Sequence, residues 1–198
     1  MENLTSAARL AKVLKSGRKQ ELGTVRKPNG EFTNCPQETL EVLLNAHFPD
    51  ADVGEEVQYG RLPEVNELDI DSIINPQSVR AAFSSFQPYK APGCDEIYPV
   101  LLQQGIDIIL DKVVKIYKKS LRDGVIPKRW LESRIVFIPK PGKCDYSDPK
   151  SVRPISLTSF LLKGLERLIF WHISKTTLRH NKLHKNLYSY KESISTED

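Results

Sequence analysis

Cysteine is scarce in this sequence and poorly placed for chemistry. Its three residues, Cys35, Cys94 and Cys144, are odd in number and at least 50 positions apart. No CxxC pair and no Cys/His cluster occurs, so neither a zinc site of the usual spacing nor a disulfide framework is supported. Such usage suits a reducing compartment and predicts an intracellular protein, in the nucleus or cytoplasm. No run of 18 apolar residues appears, and the opening MENLTSAARLAKVLKS lacks a signal-peptide core. A membrane partner is therefore not expected. Internal repeats and low-complexity tracts are also missing, which excludes solenoid and fibrous architectures.

What is present is an ordinary globular mixture with uneven charge. Hydrophobic residues make up 39% and charged residues 27% of 198 positions, enough for one domain with a short helical preface. The net charge of +4 hides an asymmetry. Residues 48–74 hold eight acidic side chains against the single Arg61, whereas residues 112–191 hold 19 Lys and Arg against 5 Asp and Glu. A stretch that positive attracts polyanions, nucleic acid above all.

Apolar spacing organises the chain. Residues 4–15 can form a short amphipathic helix, broken by Gly17, and Pro28-Asn29-Gly30 signals a turn. Pro36 suits a first helical position, with Leu40, Leu43, Leu44 and His47 following at helical spacing. His47, without a partner cluster, reads as a half-buried helical histidine rather than a ligand. Residues 48–74 read as an acidic linker, and Glu55, Glu56, Asp69 and Asp71 as solvated carboxylates. Asn75-Pro76 starts a helix with Val79, Ala82, Phe83 and Phe86 on one face. A longer helix is predicted from Leu102 through Ile106, Ile109, Val113, Ile116, Tyr117 and Leu121 to Gly124. Lys118, Lys119 and Arg122 in its last turns suit the helix dipole, which explains them without a ligand. Trp130 is expected to pack beneath the following hairpin. A last helix runs from Ser159 to about Leu178, with Gly164 inside it marking either close packing or a tolerated blemish. The basic end beyond it, with His180 and His184, reads as an exposed loop.

Between those helices lies a strand, a basic turn and a second strand. Ile135, Val136, Phe137 and Ile138 stop at Pro139 and Pro141, and Val152, Ile155 and Leu157 return. Lys140, Lys143, Lys150 and Arg153 cluster on this hairpin, which can offer several cations to a phosphate-bearing partner. A solvated edge hairpin with ordinary surface lysines is the other reading, and spacing alone does not choose.

Four ordered stretches resemble a known family. Residues 27–49 (KPNGEFTNCPQETLEVLLNAHFP), 90–103 (KAPGCDEIYPVLLQ), 124–145 (GVIPKRWLESRIVFIPKPGKCD) and 153–169 (RPISLTSFLLKGLERLI) resemble the amino-terminal part of a non-LTR retrotransposon reverse transcriptase, of the jockey-like kind. The terminal NLYSYKESISTED is similar to the start of the next family motif. This resemblance, covering roughly residues 23–198, implies an RNA-directed DNA polymerase of right-hand shape. The fold class it implies is α+β, mainly helical, with a fingers subdomain bearing a small antiparallel hairpin, and the beginning of the palm; palm core and thumb are absent. The division expected is a helical region over 1–50, an acidic linker over 51–74 and a partial reverse transcriptase domain over 75–198.

Carried over position by position, Lys140 of IPK and Arg153 of RPIS match the cations facing the incoming triphosphate. Lys90 and Asp95 would border template and fingers, and Lys143, Lys150 and Lys163 the template backbone. The implied partners are an RNA or DNA template-primer and deoxynucleotide triphosphates; protein partners are not indicated. Cys94 and Glu96 stand where the family usually has Pro and Gly, which predicts a looser or differently shaped turn. Ser193 and Ile194 replace the usual Gly-Arg pair. No Tyr-Xaa-Asp-Asp occurs, so the palm aspartates that hold two metal ions are missing. The expectation is a polymerase fragment without catalytic residues or metal of its own, magnesium belonging to the complete enzyme. The alternatives are a non-catalytic nucleic-acid-binding or interaction module and a poorly folded relic.

Overall fold

Proline opens three of the helices in the computed structural model, whose described residues are 23–49 and 69–180. They are α1 (Pro36–His47), α3 (Pro76–Ser84) and α4 (Pro99–Gln104). Proline lacks the N–H that would be an orphan at a helix start, and its fixed φ is already helical. The other elements are α2 (Ile70–Ile73), α5 (Ile106–Asp123), α6 (Lys128–Leu131), β1 (Arg134–Pro139), a 3-10 turn (Pro149–Ser151), β2 (Val152–Leu157) and α7 (Phe160–His180). The described chain is thus mainly helical with one two-stranded antiparallel hairpin, an α+β composition. The helix expected over residues 4–15, most of the acidic linker and the string after residue 180 lie outside the described residues.

The chain divides into two compact units. One gathers the described residues up to 49 with 91–96 and 132–158. Its small core is Val25, Leu43 and Phe137, with Val42, Leu44 and Val152 packed around them. The predicted turn forms here. Gly30 adopts φ 89°, Lys27 N donates to Glu31 O at 2.7 Å, and Arg26 bridges Phe32. Thr33 ties turn to helix, its hydroxyl meeting Val25 N at 3.0 Å and the Thr39 hydroxyl at 2.7 Å. That pairing buries Thr39 on a helix face where Leu40 was expected, and Leu40 is exposed.

The other unit comprises residues 69–90 and 97–131 and the chain from 159 onward. Its core is built on Phe83, Tyr117, Val79, Ile74, Leu165 and Leu168. Asn75 caps α3 through a reciprocal capping box with Ser78, and Gly124 closes α5 in the left-handed region at φ 65°. Gln103 Nε2 donates to both Phe83 O and Phe86 O at 2.9 Å, satisfying carbonyls at the end of α3.

Four expectations need correction here. The long helix is broken at Gly105 into α4 and α5, because that residue closes one helix and opens the next at φ −91°, ψ 5°. Within α5 the buried face is Leu110, Val113, Val114 and Tyr117, leaving Ile116 exposed. Trp130 belongs to the helical core, its ring edge-on to Tyr117 at 5.8 Å. Residues 70–73, the last of the supposed linker, form a helical turn that buries Ile73, with Asp69 capping through Ser72 N. Gly164 settles as close packing: a Cβ there would lie 2.5 Å from Tyr117 Oη and 2.6 Å from Phe83 Cε1.

Candidate nucleotide and nucleic-acid site

The hairpin register fixes what its cations can do. Arg134 pairs with Leu157, Val136 with Ile155 and Ile138 with Arg153, and the ladder is prolonged by Lys140 N donating to Ser151 O at 2.8 Å. Alternation sends Phe137 and Val152 to one face, where they join the core against α1. Arg134, Val136, Ile138, Lys140, Arg153, Ile155 and Leu157 therefore share the opposite face. Ile138 and Ile155 are exposed there, so Lys140 and Arg153 border an apolar floor open to solvent, with Arg134 at its far end paired to Glu96 at 3.8 Å.

The turn between the strands is held by its own polar groups. Lys140 Nζ donates to Lys150 O at 2.6 Å, and Tyr146 Oη donates to Lys140 O at 3.0 Å. An ammonium has three donors, so this anchor leaves two for a phosphate. Asp145 accepts from Ser147 N at 2.8 Å, Ser147 Oγ at 2.6 Å and Arg26 Nη2 at 3.2 Å. The Ser147 donors lead in holding that carboxyl below its ordinary range, with Arg26 adding a smaller electrostatic pull. Asp148 caps Lys150 N at 2.9 Å. The loop carboxylates are thus occupied locally. Among the described residues Lys140, Lys143, Lys150 and Arg153 take part in no ion pair. Gly142, at φ 76°, makes the tip.

A groove of about 590 Å3 adjoins this turn, lined among others by Arg26, Lys27, Val42, Asn45 and Lys150. Its charge is largely cancelled: Arg26 pairs with Asp145, and Lys27 with Glu38 and, at 3.8 Å, with Glu31. The Glu38 carboxylate, foremost by hydrogen bonding, pushes the Lys27 ammonium up from its ordinary value and is itself held low. His47 is half-buried as expected, but has a partner, Pro149 O at 3.0 Å from Nε2, and a ring contact with Phe137 at 5.9 Å. Sequence reading missed the Lys27–Glu38 pair, which joins a turn to a helix and leaves no periodic signal.

The remaining candidates do not all gather at the hairpin. Lys90 is exposed, closing a turn through its N–H to Gln87 O at 3.3 Å, and Lys163 is half-buried on α7 with Nζ 4.5 Å from the Phe160 ring centroid. Both belong to the helical unit, whereas Lys140, Lys143, Lys150 and Arg153 belong to the other. The KAPG-type turn stays tight in spite of its substitutions, Glu96 N donating to Gly93 O at 3.2 Å. Glu96 achieves this at φ 57°, a left-handed conformation for which glycine is the residue without penalty. Cys35 supplies another unusual device, its Sγ accepting from Glu38 N to cap α1. Among the described residues no three His, Cys, Asp or Glu side chains come together as a metal site would need. Nor does any described helix have the length and apolarity to cross a membrane.

No protein-family model matches the chain. Similarity to individual proteins is clear. The chain is 28% identical over 180 residues to "Probable RNA-directed DNA polymerase from transposon BS" of Drosophila melanogaster, a match covering 87% of the chain. It is 32% identical over 157 residues to the RNA-directed DNA polymerase from mobile element jockey of Drosophila funebris, covering 73% of the chain. It is also 25% identical over 177 residues to a retrovirus-related Pol polyprotein from the type-1 retrotransposable element R1 of Bradysia coprophila. The chain spans only 20%, 17% and 17% of these three relatives.

Proposed function

Since the chain is homologous over most of its length to RNA-directed DNA polymerases of jockey-like and R1 non-LTR retrotransposons, we propose that it is the nucleotide- and template-gripping part of such an enzyme. Lys140 and Arg153 on the open hairpin face bind the triphosphate of an incoming deoxynucleotide. Arg153 offers a planar guanidinium fork and Lys140 a point charge. Lys90, Lys143, Lys150 and Lys163 hold template phosphates, which positions the strand without reading sequence. One observation carries this reading: Lys140 and Arg153 share a solvent-facing hairpin surface, and among the described residues neither takes part in an ion pair. Among the described residues no three His, Cys, Asp or Glu side chains gather, and no Tyr-Xaa-Asp-Asp occurs in the sequence, so we assign the nucleotidyl transfer to the palm of a complete polymerase. On its own the 198-residue chain does not extend a primer.

Calorimetric titration of the purified chain with dATP tests the grip. A charge-assisted hydrogen bond contributes roughly 1.5–3 kcal/mol, so Arg153→Ala or Lys140→Ala should weaken binding about ten- to hundredfold. dAMP should bind less well than dATP, having fewer phosphates to hold. Unchanged dATP affinity in both variants would overturn the assignment. Primer extension by the isolated chain with magnesium would overturn its inactivity. The second reading is a nucleic-acid-binding module that never meets nucleotide. The 19-to-5 excess of basic residues over 112–191 favours it. RNA binding without any dATP binding would select it.

A further inference from the structure

Helix α5 carries a second charged feature, in the helical unit, that neither the motifs nor the hairpin account for. Its inner face is fully used by the core, through Leu110, Val113, Val114 and Tyr117. On the outer face, Lys112, Lys115, Lys119 and Arg122 recur at intervals of three and four. At 100° per residue all four fall within about 40° of one line along the helix. All four are exposed. Ile108 heads the same line, 86% exposed.

What sets these cations apart is the partnering of their neighbours. Lys118, on the flank of the helix, is taken at 2.6 Å by Asp71, whose carboxylate also feels Arg122 at longer range. Asp107, on the same flank, is taken by Arg80 at 2.5 Å. Asp111 and Asp123 border the line, yet no carboxylate among the described residues lies within ion-pairing distance of the four. Four like charges in a row repel one another, and dipole compensation rewards only those in the last turn, where Arg122 sits. Helix stability therefore explains one of the four.

We propose that this stripe binds a polynucleotide backbone. Lys112 to Arg122 spans ten residues, or about 15 Å of helix. A nucleic-acid strand advances about 3.4 Å per phosphate in a duplex, so about four phosphates pass along that length. Four cations meet four phosphates. The stripe is convex and polar, without the desolvated aromatic pocket that anchors a protein partner. It reads charge and spacing only, so binding is indifferent to base sequence and strongly salt-dependent. The reading above supplies the class of partner; the surface is a different one, on a different unit, from the proposed nucleotide grip.

The test is fluorescence anisotropy of a labelled mixed-sequence RNA 20-mer with the full chain, over a salt series. Replacing Lys112, Lys115, Lys119 and Arg122 together by Gln should lower the slope of log K against log salt by about 3, from about 0.7 per released counterion. A variant with Lys112, Lys115 and Lys119 changed to Arg should keep the parent slope; losing it would overturn the stripe, since charge is conserved. An unchanged slope in the Gln variant would overturn it too. Retained dATP binding alongside that result leaves the nucleotide grip standing, so the two claims fail separately. Vesicles rich in phosphatidylserine form the control arm. Stripe-dependent vesicle binding without RNA binding would make a lipid surface the partner and overturn the proposal.

Discussion

Gly164→Ala is the substitution that best tests the helical core. Inside a helix alanine is ordinarily favoured over glycine by about 1 kcal/mol. At this position the added methyl would stand 2.5 Å from Tyr117 Oη and 2.6 Å from Phe83 Cε1. Neither atom is the tip of a mobile side chain. Both rings are buried, set edge-to-face at 6.5 Å, and Tyr117 is further held by Trp130 and by its hydrogen bond to Leu161 O at 2.5 Å. Overpacking a core of this kind costs roughly 1–3 kcal/mol. Loss of the tyrosine hydrogen bond adds about 1 kcal/mol. Set against the gain in propensity, the variant should be destabilised by about 2 kcal/mol. For a chain this size that lowers Tm by roughly 4–8 °C in far-UV circular dichroism. Tyr117→Phe removes the hydroxyl, so the alanine should cost less in that background, with a coupling of about 0.5–1 kcal/mol. Phe83 still lies close, and relief is only partial. A Gly164→Ala protein more stable than the parent would refute the close approach. Strict additivity with Tyr117→Phe would refute the hydroxyl's part in it.

Glu96→Gly should raise stability by about 1 kcal/mol, read as a higher urea midpoint, because it removes a left-handed non-glycine residue. The exposed 3.8 Å pair with Arg134 that it loses is too weak to reverse the sign. Cys35→Asp should raise the midpoint as well, since a carboxylate caps a helix better than a thiol 3.5 Å from its amide; a lower midpoint would refute the cap. Glu38, Asp71 and Asp145 are all held below the ordinary carboxylate range, chiefly by Lys27, Lys118 and Ser147 respectively. The unfolded chain thus binds more protons near its own carboxylate pKa of about 4. Stability should be full above that value and fall as pH drops through the depressed values. Lys27 acts in the opposite sense, its raised pKa giving a contribution complete below about 10.5 and lost at higher pH. Glu38→Gln should flatten the acid limb, and a midpoint that rises on acidification would contradict all three pairs.

The legible parts of the fold were those written in local chemistry. Asn75-Pro76 is a cap followed by a residue that can only begin a helix, and α3 starts there. Gly124 and the Pro28-Asn29-Gly30 turn need conformations that few other residues adopt, and the chain takes them. What failed depended on distant partners. Gly105 was passed over because apolar residues on both sides keep helical spacing, and spacing does not record a change of axis. Chain order points Trp130 to the hairpin that follows it, whereas its ring partner is Tyr117 in the preceding helix. Thr39 displaced Leu40 from the interior of α1 because the Thr33 hydroxyl satisfies its own, and no single-residue hydrophobicity predicts a paired hydroxyl.

The same limit bears on how a basic surface is recognised. Counting lysines on α5 made them look like ordinary ornaments of a helix end, and by number alone they are. Their standing changes only when each acid is assigned to a cation. Asp71 and Asp107 pair with Lys118 and Arg80, off the stripe, Asp71 feeling Arg122 only at longer range, and the hairpin's Asp145 and Asp148 are occupied by Arg26, serine and backbone donors. Among the described residues these four carboxylates are spent elsewhere, and Asp111 and Asp123, which border the stripe, pair with none of its cations. A surface cation with a local partner gains little from meeting a phosphate, because it must first give up that partner. One without a partner brings its whole charge to the contact. Binding capacity here follows from the distribution of acids, which sequence lists but only the folded chain allocates.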